Sequence, residues 1–277
     1  MTLLVVAALG ALYGPTLVDL VGVWVTSRYY NHGLLVPLFS AWVAWTARAD
    51  LPRVAWDLRP AGGALLALAL LALAGGTALD SLTLRALSLP LALAAVVVLA
   101  LGVRGLRRLT FPVGFLALMA PLPDGALTRL SLAMQELATS VTDAALAGLG
   151  VPVVRQGLSL HLESVTLDIT EECNGLRFLF TMAVIGVAVA WAVGGPWRRR
   201  GAIVGLALVA GVVANLLRVL GTAVIAEVAG PAAVLGTPHL VFGKAVYGVV
   251  FVAFGVLALV LAGVRIRLIA PLSARRA

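Results

Sequence analysis

Charged residues are scarce in this 277-residue chain, at 12% of positions against about 25% in a soluble domain. So few charges cannot coat a water-facing surface, which excludes the ordinary soluble classes. Lysine is nearly missing: Lys244 stands alone, so arginine carries almost all of the basic charge. There is one cysteine, Cys173, which excludes an internal disulfide. A free thiol facing an oxidising compartment is usually kept for its chemistry. No His-Glu-x-x-His element and no cluster of metal-ligand residues occurs, so neither a metal nor another cofactor is expected. Internal repeats are missing too, and the only biased tracts are runs of Ala, Leu and Val.

What fills the chain is apolar sequence, 62% of residues, with a mean hydropathy of +1.08. Spans of about 20 residues joined by short loops fit it roughly eight times, at residues 3–26, 33–47, 61–80, 87–103, 109–122, 174–194, 201–228 and 241–263. Residues 3–26 are too long for the short apolar core of a cleavable signal peptide and read as the first span. The second and fifth spans are short. The fifth ends at Pro121 and Pro123, which cannot continue a regular helix.

The net charge of +8 does not mark a nucleic-acid surface, because the arginines sit in short loops between apolar runs. Arg48, Arg53, Arg59, Arg104, Arg107, Arg108, Arg198, Arg199, Arg200, Arg265, Arg267, Arg275 and Arg276 all follow even-numbered spans. That face holds thirteen basic residues against Asp50 and Asp57; the other holds seven against nine acidic ones. Asp19 stays inside span one. The positive-inside rule then puts both termini in the cytoplasm of a multi-pass plasma-membrane protein in contact with lipid.

Sidedness places residues 123–173, the longest polar stretch, outside. Asp124 to Leu149 reads as an amphipathic helix, with Leu127, Leu130, Met134, Leu137 and Val141 at helical spacing. After Gly150 and Pro152 the period becomes two. Leu158, Leu160 and Leu162, then Val165, Leu167 and Ile169, suggest a β-hairpin turning at Glu163-Ser164. The expected fold is therefore an all-α polytopic membrane protein of about eight transmembrane helices, carrying a small extracytoplasmic amphipathic helix and β-hairpin. It is read as one membrane domain, 1–277.

Three polar side chains reach one depth. Cys173 opens span six; Arg218 lies 17 residues, about 25 Å, along span seven from Gly201; His239 precedes span eight. Taken singly, each has a plainer reading: a packing thiol, a snorkelling guanidinium, an interfacial imidazole. Together they suit covalent catalysis. An imidazole takes the thiol proton, a helix N-terminus favours the thiolate, and a guanidinium stabilises an oxyanion.

The chain resembles the exosortase/archaeosortase family of membrane cysteine transpeptidases. The resemblance rests on Glu171-Glu172-Cys173-Asn174-Gly175-Leu176-Arg177, Asn215-Leu216-Leu217-Arg218-Val219 and Thr237-Pro238-His239, in that order. Supporting stretches are His32-Gly33-Leu34-Leu35-Val36-Pro37, Phe111-Pro112, Pro121-Leu122-Pro123, Gly150-Val151-Pro152-Val153 and Gly157. Asn174 departs from the family, where Ser is the more usual neighbour of the nucleophile. The resemblance implies exported protein substrates bearing a C-terminal sorting signal: a short motif such as Pro-Glu-Pro, an apolar helix and a basic cluster. It implies cleavage through a thioester and transfer to an acceptor. Carried over by position, Cys173 is the nucleophile, His239 the general base and acid, and Arg218 the oxyanion stabiliser. Asn215 and Arg177 are expected to orient or bind substrate, with Glu171 and Asn174 beside them. His32 and His161 are left out as plain polar residues.

Two other classes compete. An intramembrane CAAX-type protease needs Glu-Glu-x-x-x-Arg, but four residues separate Glu172 from Arg177, and the later His-based elements are missing. A transporter or polymer-export assembly factor favours repeats and polar groups near the midplane, whereas spans three and four are uniformly apolar. Oligomeric state and acceptor stay open.

Overall fold

The computed structural model describes residues 1–234 and 236–263. The basic cluster Arg265, Arg267, Arg275 and Arg276 lies outside the described residues. The chain forms two compact units, Met1–Arg129 and a second beginning at Leu130. It is the expected α-helical membrane architecture with a small sheet, and among the described residues six helices are long and apolar enough to cross a bilayer.

In the first unit, α1 (Thr2–Thr26) buries Tyr13, Thr16, Leu20 and Trp24, spaced three or four apart, and exposes much of its remaining apolar surface. Asp19, left unassigned by sequence, pairs with Arg85 at 2.7 Å. Tyr13 shares a hydrogen bond with Ser88 at 3.1 Å. These contacts hold α1 to α4 (Leu82–Phe115), as does the indole N–H of Trp24, which donates to the Met119 carbonyl just past α4's end (3.0 Å). α2 (Leu35–Thr46) has 12 residues, about 18 Å, too short to span alone. The sequence reading of a short second span at 33–47 agrees with this length. α3 (Pro60–Ala78) starts on Pro60 and packs along α4 through Gly62 and Gly76, where a Cβ would strike Leu99 and Arg85.

α4 keeps the expected separation of spans four and five. Its helical backbone breaks at Gly102 (φ 73°, ψ −178°), so Leu82–Phe115 is two helices meeting at a kink, the second starting a few residues earlier than expected. Arg104, Arg107 and Arg108 are therefore helical residues just past a kink, not a loop. The break creates a helix end within the chain, and such an end leaves its last carbonyls without donors. Residues 55–59 supply them. The N–H groups of Ala55 and Asp57 donate to Ala100 and Leu99 (2.9 and 3.1 Å), and Arg59 Nη1 donates to Val98 (3.3 Å). Arg59, counted by sequence only as a topology charge, caps this helix end.

The second unit holds most of α5 (Asp124–Gly148), the expected amphipathic helix. Its buried face is Ser131, Met134, Gln135, Ala138, Thr139, Thr142 and Leu146. Of the apolar stripe read from sequence only Met134 is buried; Leu137 and Val141 are exposed. Three antiparallel strands follow in order: β1 (Val153–Gln156), β2 (Ser159–Leu162) and β3 (Thr166–Asp168). The β2–β3 hairpin is the expected one; β1 is an addition, paired Val153 to Leu162 through Gln156 to Ser159. Arg155 of β1 reaches the Glu136 carboxylate and Ser140 (2.8 Å) on α5. α6 (Leu176–Val193), α7 (Trp197–Ala229) and α8 (Gly236–Leu261) then pack around Met182, Ala190, Ile203, Ala207, Ala210, Phe254 and Ala258. Gly186 against Ala207 and Gly211 against Leu179 let α6 and α7 approach closely.

Gly102 occupies a left-handed φ that a β-branched residue resists. Gly102→Val should destabilise the protein by about 1–3 kcal/mol, read as a lower Tm in nanodiscs. An unchanged Tm would show that the break does not depend on glycine.

Candidate active site

Cys173 closes a single 3-10 turn, Glu171–Cys173, and lies three residues before α6 rather than in it. Its N–H donates to the Thr170 carbonyl (2.8 Å). Gly175 then takes φ 70°, a left-handed conformation that glycine adopts freely, and α6 begins. The side chain of Cys173 is half-buried and packs with Leu216 against Ala138, Ile169 and Val219.

Two α7 side chains hold this turn. Asn215, fully buried, donates from Nδ2 to the Cys173 carbonyl (2.8 Å). Arg218, one turn on, donates from Nη2 to the Glu172 carbonyl (2.9 Å) and to Asn215 Oδ1 (3.3 Å). The two carbonyls flanking the nucleophile's backbone are thus bound from one helix by a coupled amide and guanidinium. The contact is tight: a Cβ on Gly175 would overlap the Asn215 side chain.

Arg218 is only 9% exposed, and its Nε is buried with no hydrogen-bond partner among the described residues. Its stem lies along α8 at Gly243, where a Cβ would touch Cδ at 3.4 Å. Its guanidinium carbon sits 5.8 Å from the Tyr247 ring centre, within cation–π reach. Tyr247 also stacks on Phe178 of α6, with centroids 4.4 Å apart, and lies near Cys173 and Arg177.

His239 belongs to the first turn of α8, which begins at Gly236 rather than after the histidine as expected. It is half-buried and near enough to Arg218 and Glu172 to feel both charges. Its Nδ1 is buried without a hydrogen-bond partner among the described residues. Cys173, Asn215 and Arg218 are thus joined by direct hydrogen bonds, and His239 is linked to them electrostatically. Asn174 is buried: its Oδ1 accepts from the Leu176 N–H (3.0 Å) and its Nδ2 donates to Ser131 Oγ (2.7 Å). Arg177 and Glu171 are exposed on either side of the nucleophile, Arg177 in the first turn of α6 and Glu171 at the start of the 3-10 turn. Of the two histidines left out, His161 bonds Thr166 across the β2–β3 pair (2.9 Å). His32 is buried in the first unit, where burial pushes its pKa below the usual imidazole range.

A family model described as "Transmembrane exosortase (Exosortase_EpsH)" matches residues 24–256. The chain belongs to the transmembrane exosortase family. No curated protein and no solved structure matches it. Membership supports a membrane transpeptidase role for this exosortase, and the matched span contains Cys173, Arg218 and His239. Sequence reasoning missed the two α8 residues against Arg218 in this exosortase, Gly243 and Tyr247. They fall one and two turns after His239, a spacing that could have flagged them. It also missed Ser131 and Gln135 on α5, whose i, i+4 polar spacing was masked by the leucines beside them.

Gly175→Ala should lower stability by about 1–2 kcal/mol through its φ and more through its overlap with Asn215. In an Asn215→Gly background, which removes the Cβ as well as the amide, the overlap is relieved. A double-mutant cycle by thermal unfolding should therefore give a coupling of about 1 kcal/mol between the two positions. Strict additivity would mean that the two side chains do not press on each other.

Proposed function

We propose that this exosortase cuts the C-terminal sorting signal from exported proteins at an extracytoplasmic site, using Cys173 as nucleophile, and passes them to an acceptor. The observation that carries the reading is the binding of both carbonyls beside Cys173 by Asn215 and Arg218. That arrangement fixes the thiol's backbone before substrate arrives and holds a positive charge beside it.

His239 takes the Cys173 proton, and the sulfur attacks the scissile carbonyl. The carbon–sulfur bond forms, and the carbonyl oxygen takes on negative charge opposite Arg218. Collapse breaks the carbon–nitrogen bond while His239 returns the proton to the leaving amine. The thioester then holds the exported protein until an acceptor nucleophile, or water, attacks its carbonyl. Carbon–sulfur cleavage restores the thiolate, which takes the acceptor's proton back by way of His239. Arg177 and Glu171, exposed on either side of the nucleophile, are placed to meet substrate; Asn174 and Asn215 orient the turn. The arginine asymmetry of the loops supports cytoplasmic termini and an outward-facing site.

The test is co-expression with a tagged protein carrying a C-terminal sorting signal. Cys173→Ala and Cys173→Ser should abolish tail removal. His239→Ala and Arg218→Ala should slow it by about a hundredfold or more at equal membrane levels. Tail removal that persists in Cys173→Ala, or that stops with a chelator but not with a thiol reagent, overturns the covalent mechanism. A membrane-impermeant maleimide added to intact cells should label Cys173; labelling only after the membrane is opened would reverse the proposed sidedness.

A further inference from the structure

Three consecutive residues of the nucleophile turn are tethered, and only two tethers come from α7. Glu172 and Cys173 are held through their carbonyls by Arg218 and Asn215. The third, Asn174, is held from α5: its Nδ2 donates to Ser131 Oγ at 2.7 Å. The same oxygen accepts from Gln135 Nε2 at 3.0 Å, and that nitrogen also reaches the Ser131 carbonyl at 3.2 Å. Ser131, Gln135 and Asn174 are 5%, 4% and 2% exposed. A buried polar cluster gains little stability over apolar packing of the same volume, but it specifies one geometry where apolar contacts tolerate several. It stands on the inward face of a helix whose sequence offers leucines a short rotation away, two of which, Leu132 and Leu137, stay exposed.

We propose that Ser131 and Gln135 are positioning residues of the Cys173 site, acting through Asn174 to fix the backbone from which the thiol attacks. Gln135 orients the Ser131 hydroxyl oxygen toward Asn174. Asn174, with its other amide end on the Leu176 N–H, transmits that position to both the Cys173 backbone and the start of α6. The helix from Asp124 to Gly148 is in this view a part of the catalytic apparatus. The inference deepens the proposed function and rests on it only for the choice of Cys173 as the reacting group.

The full chain in nanodiscs tests it twice over. Because Cys173 is the only cysteine, iodoacetamide reports on that thiol alone and needs no substrate. Ser131→Ala should change the alkylation rate severalfold and lower kcat for tail removal by about tenfold to a hundredfold, with KM held. Gln135→Met should shift both in the same direction by less, and Ser131→Thr, which keeps the hydroxyl, should restore both toward wild type. Alkylation and kcat unchanged in Ser131→Ala and Gln135→Met overturn the proposal. So does a kcat loss that merely tracks the loss of folded protein in both variants, since the cluster would then be structural alone. If no sorting-signal substrate is processed by the wild type but the alkylation change appears, the positioning role stands and the proposed reaction fails.

Discussion

The site depends on one constraint: backbone carbonyls outside a helix, at the edge of a membrane bundle, must find donors inside the protein. Hydrocarbon supplies none, and each unsatisfied group costs several kcal/mol. The turn that carries Cys173 leaves two such carbonyls, on Glu172 and Cys173 itself. Asn215 and Arg218 answer both from a single turn of α7, and the bond between them sets the two donors against each other. Moving either side chain frees a carbonyl beside the nucleophile. The geometry of the thiol's backbone is thereby made a condition of folding.

The first unit meets the same constraint with different residues. Breaking α4 at Gly102 frees carbonyls at Val98, Leu99 and Ala100, and an irregular strand of chain around Ala55 to Arg59 lies against them. Asp19, a carboxylate among leucines and valines, is tolerable in α1 because Arg85 meets it at 2.7 Å. In both units, then, an arginine in apolar sequence is spent on a specific acceptor. Charge counting across loops treats these residues as topology signals only, although Arg59, Arg85 and Arg218 each have a named partner.

That difference explains what could be read from the residues. Long apolar runs announce α1, α3, α6, α7 and α8 because hydropathy averages over a window. The Cys-Arg-His order survives because Cys173 and His239 lie near the ends of such runs and Arg218 is the one basic residue inside its own. Gly102 was not legible, since a glycine amid Leu, Val and Ala looks like any other small residue until its φ is known. β1 was missed because Val153 to Gln156 offers only two alternations before Gly157. On α5 the leucines marked the apolar face but not the one that packs: Leu137 and Val141 stay exposed, whereas the helix turns Ser131 and Gln135 toward the Asn174 side chain. Periodicity found the helix but not its rotation.

The position after the nucleophile shows how a departure from the family can be absorbed. An asparagine side chain has both an acceptor and two donors, and in this chain both functions are used: Oδ1 takes the Leu176 N–H while Nδ2 reaches Ser131. A serine there could make the short turn bond to the backbone, but its hydroxyl could not also span to α5 as an amide does. The longer residue therefore requires an acceptor on the facing helix, and Ser131 supplies one only because Gln135 holds the same oxygen from its other side. Substitution next to the thiol and a polar pair 43 residues earlier are then one physical unit. Neither makes sense as a surface feature of an amphipathic helix, and each accounts for the other.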